Sequence, residues 1–176
     1  MAVVSIAPTA IIMQLQLATA RRFVSANGSA VALAARDAAL LAWLALEGPT
    51  PRARMAELLW PDSDADAARN ALRQRLFHLR KSLGFDAVVG SATLALAEGL
   101  THDLEAADSV LGDEPAAAGR YAAWLEQQRL RRRNRVHLSL VELAQGAEDR
   151  LKDLAKQDLG SPKSAEDRRS LADGYW

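Results

Sequence analysis

Four polar residues with helical spacing carry the clearest chemical signal in this chain. They are Asn70, Arg73, Gln74 and His78. At 3.6 residues per turn these positions share one side of a helix. Arginine can donate two hydrogen bonds to guanine O6 and N7, and asparagine or glutamine can pair with N6 and N7 of adenine. The spacing therefore predicts a surface that reads base edges in the major groove of DNA.

Basic and hydroxyl-bearing residues near this surface are candidates for contacts to the phosphate backbone. Such contacts position a protein on the duplex without reading its sequence. The candidates are Arg69, Arg80 and Lys81 on the same helix, Arg52 and Arg54 at the start of the preceding helix, and Ser91 and Thr93 in the following hairpin. For Arg52 and Arg54, ordinary exposed charge is an equally good interpretation. No acidic residue occurs from Ala67 to Phe85, which favours an anionic partner.

Two further residues of the same helix have other interpretations. Arg75 lies nearer the apolar side of the helix, where we expect it to pair with an acidic neighbour. Phe77 lies on the outer side. It is compatible with contact to a thymine methyl group and equally with a packing role.

An amphipathic helix from Asp64 to Leu83 must hold these residues. Its apolar stripe consists of Leu72, Leu76, Leu79 and Leu83. Asp62 or Ser63 is the expected N-cap, and Gly84 is the expected end. Acidic residues in the first turn and Arg80 and Lys81 in the last turn complement the helix dipole.

The elements on either side predict a mainly α protein with small antiparallel sheets, an α+β fold. A strand over Ile11–Thr19 precedes a hairpin with an Asn27-Gly28 turn. Two helices follow, Arg36–Glu47 and one with Thr50 as N-cap and Pro51 in its first position. After the helix described above, a hairpin is expected between Ala87 and Ala97. This order predicts a winged helix-turn-helix with an N-terminal sheet over residues 11–103.

The rest of the chain divides into three segments. Residues 1–10 are expected to be a leader, 104–157 a helical segment and 158–176 a flexible tail. The helical segment includes one long helix from Tyr121 to about Gln157, with a possible break at Gly146. It also carries a basic cluster made of Arg129, Arg131, Arg132, Arg133 and Arg135. Such a run is more often a solvated helix face than a DNA contact.

Composition excludes several classes of protein. Lys and Arg number 22, as do Asp and Glu, so the net charge is zero and any basic surface must be local. The absence of cysteine excludes disulfides, zinc fingers and thiol catalysis, and fits a cytoplasmic protein. No apolar run reaches transmembrane length. No nucleophile–base pair, paired carboxylates or phosphate loop is recognisable, so we expect neither an enzyme nor a cofactor, and the histidines lack metal-ligand spacing.

One long run resembles the DNA-binding domain of the Streptomyces antibiotic regulatory protein family. The matching pieces are the apolar helix ending in LALEGP, the run PRARMAELLWPDSD and the following segment NALRQRL. The segment YAAWLEQQR from Tyr121 resembles the helix that opens the main part of the bacterial transcriptional activator domain. The resemblance implies a winged helix like that of response regulators, then a truncated tetratricopeptide-like activator segment. It also implies binding to direct repeats as a head-to-tail pair, with RNA polymerase as a partner.

The hairpin after the recognition helix departs from this pattern. No Lys or Arg occurs between Lys81 and Arg120, although seven acidic residues do, and a wing normally benefits from positive charge. The departure predicts weak DNA binding by one domain, and so a second copy or a partner regulator. It also keeps open the alternative of a protein-interaction module that modulates a longer regulator without strong DNA binding of its own.

Overall fold

A computed structural model describes residues 13–112 and 119–160, with side chains to residue 156. The predicted leader, the segment around Pro115 and most of the predicted tail lie outside the described residues. Within them the protein has four helices and two small sheets, so it is a mixed α and β protein, as predicted. Contacts divide the chain into two compact units, one ending at Arg133 and the other beginning at Asn134.

Eleven elements follow one another along the described chain. They are β1 (Met13–Gln16), β2 (Arg22–Val24), β3 (Ala30–Ala32), α1 (Ala35–Glu47), β4 (Thr50–Pro51), α2 (Arg52–Leu59), α3 (Ala65–Leu83), β5 (Val88–Val89), β6 (Thr93–Leu96), β7 (Leu100–His102) and α4 (Arg120–Gly160). The two sheets have the strand orders β3-β2-β1-β7 and β4-β6-β5.

The first sheet combines a predicted hairpin with a strand that the sequence did not predict. The Asn27-Gly28 turn joins β2 to β3 as expected, and Gly28 adopts a positive φ of 84°. The unpredicted strand, β7, pairs parallel with β1, so this sheet is mixed and not antiparallel as predicted. Beside it, Asp103 Oδ1 accepts hydrogen bonds from the backbone amides of Leu17 and Ala18 at 2.7 and 3.0 Å. This carboxylate therefore fixes the chain after β7 against the end of β1.

Helix α2 begins one residue later than predicted, because Thr50 belongs to strand β4. The buried Oγ1 of Thr50 accepts a 2.9 Å hydrogen bond from the indole nitrogen of Trp43 and donates to the carbonyl of Gly48 at 3.0 Å. A buried indole N–H needs an acceptor, and Thr50 supplies it from β4, where it pairs with Leu94. The prediction of Thr50 as N-cap is wrong: Pro51 occupies that position, without a side-chain cap, and the helix begins at Arg52.

The start of α3 also differs from the prediction, whereas its end does not. Asp64, not Asp62 or Ser63, is the N-cap, and its Oδ1 accepts from the amides of Asp66 and Ala67 at 3.0 and 2.8 Å. The cap must directly precede the first helical residue, which is Ala65. Gly84 ends the helix in the left-handed conformation, with a φ of 77°, as predicted.

The core of the first unit lies between the sheets and the helices. In α3 the predicted apolar stripe is confirmed, because Leu72 and Leu79 are buried and Leu76 and Leu83 pack against the core. Leu104, Val110, Tyr121 and Leu125 belong to the same core. It therefore extends past residue 103, where the sequence analysis placed the end of the DNA-binding domain.

Aromatic residues attach the first turns of α4 to α1. The rings of Trp43 and Trp124 lie 4.7 Å apart between centroids. Glu47 accepts hydrogen bonds from Trp124 Nε1 at 2.6 Å and from Gln128 Nε2 at 3.0 Å. These contacts hold the start of α4 against α1.

The second unit, described over residues 134–160, consists of the rest of α4. The helix continues through Gly146, so the possible break there does not occur. Large apolar side chains on it are exposed, among them Leu138, Leu140, Leu143, Leu151 and Leu154.

The buried hydroxyl of Tyr121 should make the stability of the folded protein depend on pH. This hydroxyl is buried without a hydrogen-bond partner among the described residues. Burial raises the pKa of Tyr121 above its usual value, an effect that Arg129 partly offsets. An unfolded tyrosine ionises near pH 10 while the folded one keeps its proton. This difference leaves stability unchanged below about pH 10 and removes up to about 1.4 kcal/mol per pH unit above it.

We therefore expect Tyr121→Phe to match or exceed the wild type in stability at pH 7 and to exceed it increasingly above pH 10. Urea unfolding of both proteins from neutral to alkaline pH measures the difference. Parallel losses of stability above pH 10 would show that Tyr121 is not the responsible group.

Candidate nucleic-acid interface

The four predicted base-reading residues lie together on the outward side of α3. Asn70, Arg73, Gln74 and His78 are all exposed, whereas the opposite side of the helix carries the buried leucines. A shallow depression of about 270 Å³ is lined by Arg73, Gln74, Phe77 and His78. The His78 ring meets the Phe77 ring edge-on, with centroids 5.8 Å apart. The result is one continuous surface of hydrogen-bonding groups around an exposed aromatic ring.

Ion pairs separate the arginines of α3 into two groups. Arg75 makes a bidentate pair with the largely buried Asp37 of α1, at 2.5 Å from Nε and 2.8 Å from Nη2. This confirms the interpretation that Arg75 pairs with an acidic neighbour. Two arginines proposed for phosphate contact are also paired, Arg69 with Asp66 and Arg80 with Asp86, the latter at 3.2 Å. Both of these pairs are exposed, and such pairs are worth only about 0–1 kcal/mol, so a phosphate group can replace either carboxylate.

Arg73 and Lys81 differ from these arginines. Each is exposed, and neither makes an ion pair with any of the described residues. No carboxylate has to be displaced before their charges meet an anion. Among the described residues of α3, Arg73 thus combines the bidentate donor geometry that suits guanine with a position on the outward side.

The two arginines at the start of α2 both have partners within the protein. Arg52 is half-buried and donates from Nη1 to the carbonyl of Ser91 at 3.4 Å, while its amide donates to the carbonyl of Ala92 at 2.8 Å. Arg54 is exposed and lies over the Trp43 ring, 5.7 Å from its centroid. Arg52 therefore connects α2 to the hairpin that follows α3, and Arg54 covers an aromatic core residue.

The hairpin formed by β5 and β6 places two hydroxyl groups at the surface. Ser91 and Thr93 are exposed. The turn between the strands requires glycine at position 90, because φ is 101° and a Cβ would lie 2.0 Å from the carbonyl oxygen of Thr93. Hydroxyls can donate to phosphate, but the hairpin brings no positive side chain of its own.

The basic cluster of α4 is divided by burial. Arg129 and Arg132 are 3% and 7% exposed, while Arg131, Arg133 and Arg135 are exposed. Arg129 Nε donates to the carbonyl of Val110 at 3.1 Å, and Arg132 Nη1 donates to the carbonyl of Leu104 at 2.7 Å. The interpretation as a solvated face is therefore wrong for two members, which hold the segment before α4 in place. Their spacing from Tyr121 and Leu125 on the buried side of the helix was the sequence signal that could have identified them.

Two other features were sought in the described part of the chain, a metal-binding cluster and a membrane-spanning helix. No group of three or more His, Cys, Asp or Glu side chains there is arranged to hold a metal ion. None of its helices is both long and apolar enough to cross a membrane. Comparisons of the chain with protein-family models, with curated proteins and with solved structures found no match.

Proposed function

We propose that the protein is a sequence-specific DNA-binding transcription regulator. Residues 11–103 form a winged helix-turn-helix, α3 enters the major groove and the β5–β6 hairpin is the wing. The observation that carries the proposal is the outward side of α3, where Asn70, Arg73, Gln74 and His78 are exposed next to one another. An α-helix fits the major groove, and these side-chain types are the ones that distinguish base pairs there.

The charge distribution supports the same assignment. Arg73 and Lys81 are free of carboxylate partners among the described residues, and the pairs of Arg69 and Arg80 are exposed and weak. Arg69, Arg80, Lys81, Ser91 and Thr93 then contact phosphates, with Arg52 and Arg54 playing a smaller part because of their internal partners.

The resemblance in sequence extends this proposal to partners. By this resemblance, the protein binds direct repeats in the cytoplasm. It binds them as a pair of copies, because a hairpin without basic residues leaves a single domain with few phosphate contacts. RNA polymerase is the protein partner implied by the same resemblance.

A protein-interaction module is the second candidate. The exposed leucines of α4 favour it, since a helix that exposes several large apolar side chains is typical of a protein contact. In that case the protein modulates a longer regulator without binding DNA strongly itself.

Selection of duplexes from a random pool by the full chain separates these two candidates. We expect one motif to be enriched, and the logarithm of its affinity to fall with the logarithm of salt concentration by about 0.9 per phosphate contact. The control is the variant carrying Asn70→Ala, Arg73→Ala and Gln74→Ala, which should not enrich that motif. Absence of any motif, together with protein complexes that survive nuclease treatment, would favour the interaction module.

A further inference from the structure

Phe77 occupies the centre of the outward side of α3. It lies seven residues, or about two turns, after Asn70 and one turn after Arg73 and Gln74. Its side chain is 64% exposed, whereas Leu72 and Leu79 on the opposite side are 0% and 3% exposed. The sequence left a packing role open for Phe77, but the ring does not belong to the core.

Folding stability does not account for a phenyl ring at this place. An exposed aromatic side chain does not contribute the favourable free energy of folding that comes from burying apolar surface. The ring nevertheless makes an edge contact with His78 and lines two surface depressions, one with Arg73 and Gln74 and the other with Arg80 and Val88. It is therefore an exposed apolar contact point with hydrogen-bonding and cationic side chains beside it, and with Asp86 in the second depression.

We propose that Phe77 reads the C5-methyl group of a thymine and is a specificity-determining residue of this surface. The inference rests on the proposed DNA-binding function. The methyl group of thymine is the apolar feature of base edges in the major groove. The cations beside Phe77, Arg73 and Lys81, favour an anionic nucleic acid over an apolar protein face as its partner.

The dimensions of an α-helix and of DNA also limit how far the thymine lies from the bases read by Arg73 and Gln74. One turn of α3 advances about 5.4 Å, and successive base pairs are about 3.4 Å apart. The thymine therefore lies within about two base pairs of the bases read by Arg73 and Gln74. The motif obtained by selection must contain a thymine at that distance on one of its strands.

Replacing that thymine with deoxyuridine tests the proposal, because it removes the methyl group and keeps the pairing edge. Binding of the full chain to the two duplexes is compared by fluorescence anisotropy for the wild type, Phe77→Leu and Phe77→Ala. We expect the wild type to bind the deoxyuridine duplex about fourfold more weakly than the thymine duplex. Burial of one methyl group contributes about 0.8 kcal/mol to binding, which corresponds to this factor. Phe77→Ala should bind both duplexes equally, and Phe77→Leu should keep part of the discrimination.

Two controls and the Arg73→Ala variant separate failure of this inference from failure of the proposed function. Circular dichroism establishes that each variant is folded. Deoxyuridine at a thymine outside the selected motif should leave affinity unchanged. If the wild type selects a motif and Arg73→Ala weakens binding, but the methyl group has no effect or Phe77→Ala still senses it, the role of Phe77 is refuted while DNA reading stands. If no duplex is selected, both proposals fail.

Discussion

Replacing Arg73 with alanine is expected to weaken binding to the selected DNA by about 10- to 100-fold, which corresponds to about 1–3 kcal/mol for one bidentate base contact. The reason lies in the position of the side chain. Arg73 is exposed on the outward side of α3 and makes no ion pair with the described residues. Binding of guanine by the guanidinium therefore breaks no ion pair within the described residues, and the variant loses the whole contact.

Loss of a base contact and loss of a phosphate contact change DNA binding in different ways. Arg73→Ala should relax the preference at one base pair, whereas Lys81→Ala should weaken binding uniformly across sequences and lower the salt dependence by about one phosphate contact. Binding to duplexes that vary one position at a time, at two salt concentrations, measures both quantities.

Arg150→Ala is the matched control for Arg73→Ala. It removes one positive charge from an exposed arginine of α4, far along the chain from α3. We expect it to change affinity less than about twofold, because affinity comes from direct contacts to bases and phosphates and Arg150 is not among the residues proposed for either. If Arg73→Ala and Arg150→Ala have the same effect, α3 does not read bases through Arg73.

Local signals were enough to predict the elements that hold this surface. The leucine spacing of α3, the Asn27-Gly28 turn and the terminal Gly84 each depend on residues close together in sequence, and each is confirmed. The exposure of Asn70 and Gln74 follows from the same spacing, because a helix that buries one side must expose the other.

Non-local contacts explain the predictions that failed. Thr50 has the residue type of an N-cap, but Trp43 needs its hydroxyl, and nothing next to Thr50 in sequence indicates this hydrogen bond. Strand β7 is only three residues long and forms by pairing with β1 from the other end of the domain.

Replacing Arg132 with alanine is expected to lower the free energy of unfolding by about 2–4 kcal/mol. Its guanidinium donates to the carbonyls of Leu104 and Ala107, at 2.7 and 3.4 Å, from a side chain that is almost wholly buried. Removing a buried donor costs its hydrogen bonds and leaves acceptors without their partner, and truncating its aliphatic stem opens a cavity. The chain before α4 then loses one of its attachments to that helix.

The neighbouring arginine provides the control for this prediction. Arg131 carries the same charge but is exposed, so Arg131→Ala should change stability by less than about 0.5 kcal/mol. Arg132→Met keeps much of the apolar stem and loses the donors, so it separates the two parts of the effect. Urea unfolding followed by circular dichroism measures all three variants. Equal stabilities for Arg131→Ala and Arg132→Ala would contradict the buried position of Arg132.

DNA binding by the same variants decides what the basic cluster does. A structural role for Arg132 requires that Arg132→Ala, measured where it remains folded, binds the selected duplex as tightly as the wild type. A DNA contact made by the cluster would instead weaken binding in Arg131→Ala, which replaces an exposed side chain and is expected to keep its stability. Arg131 is exposed and Arg132 is buried although they are adjacent in sequence. One pair of variants therefore distinguishes a cluster that supports the fold from one that binds DNA.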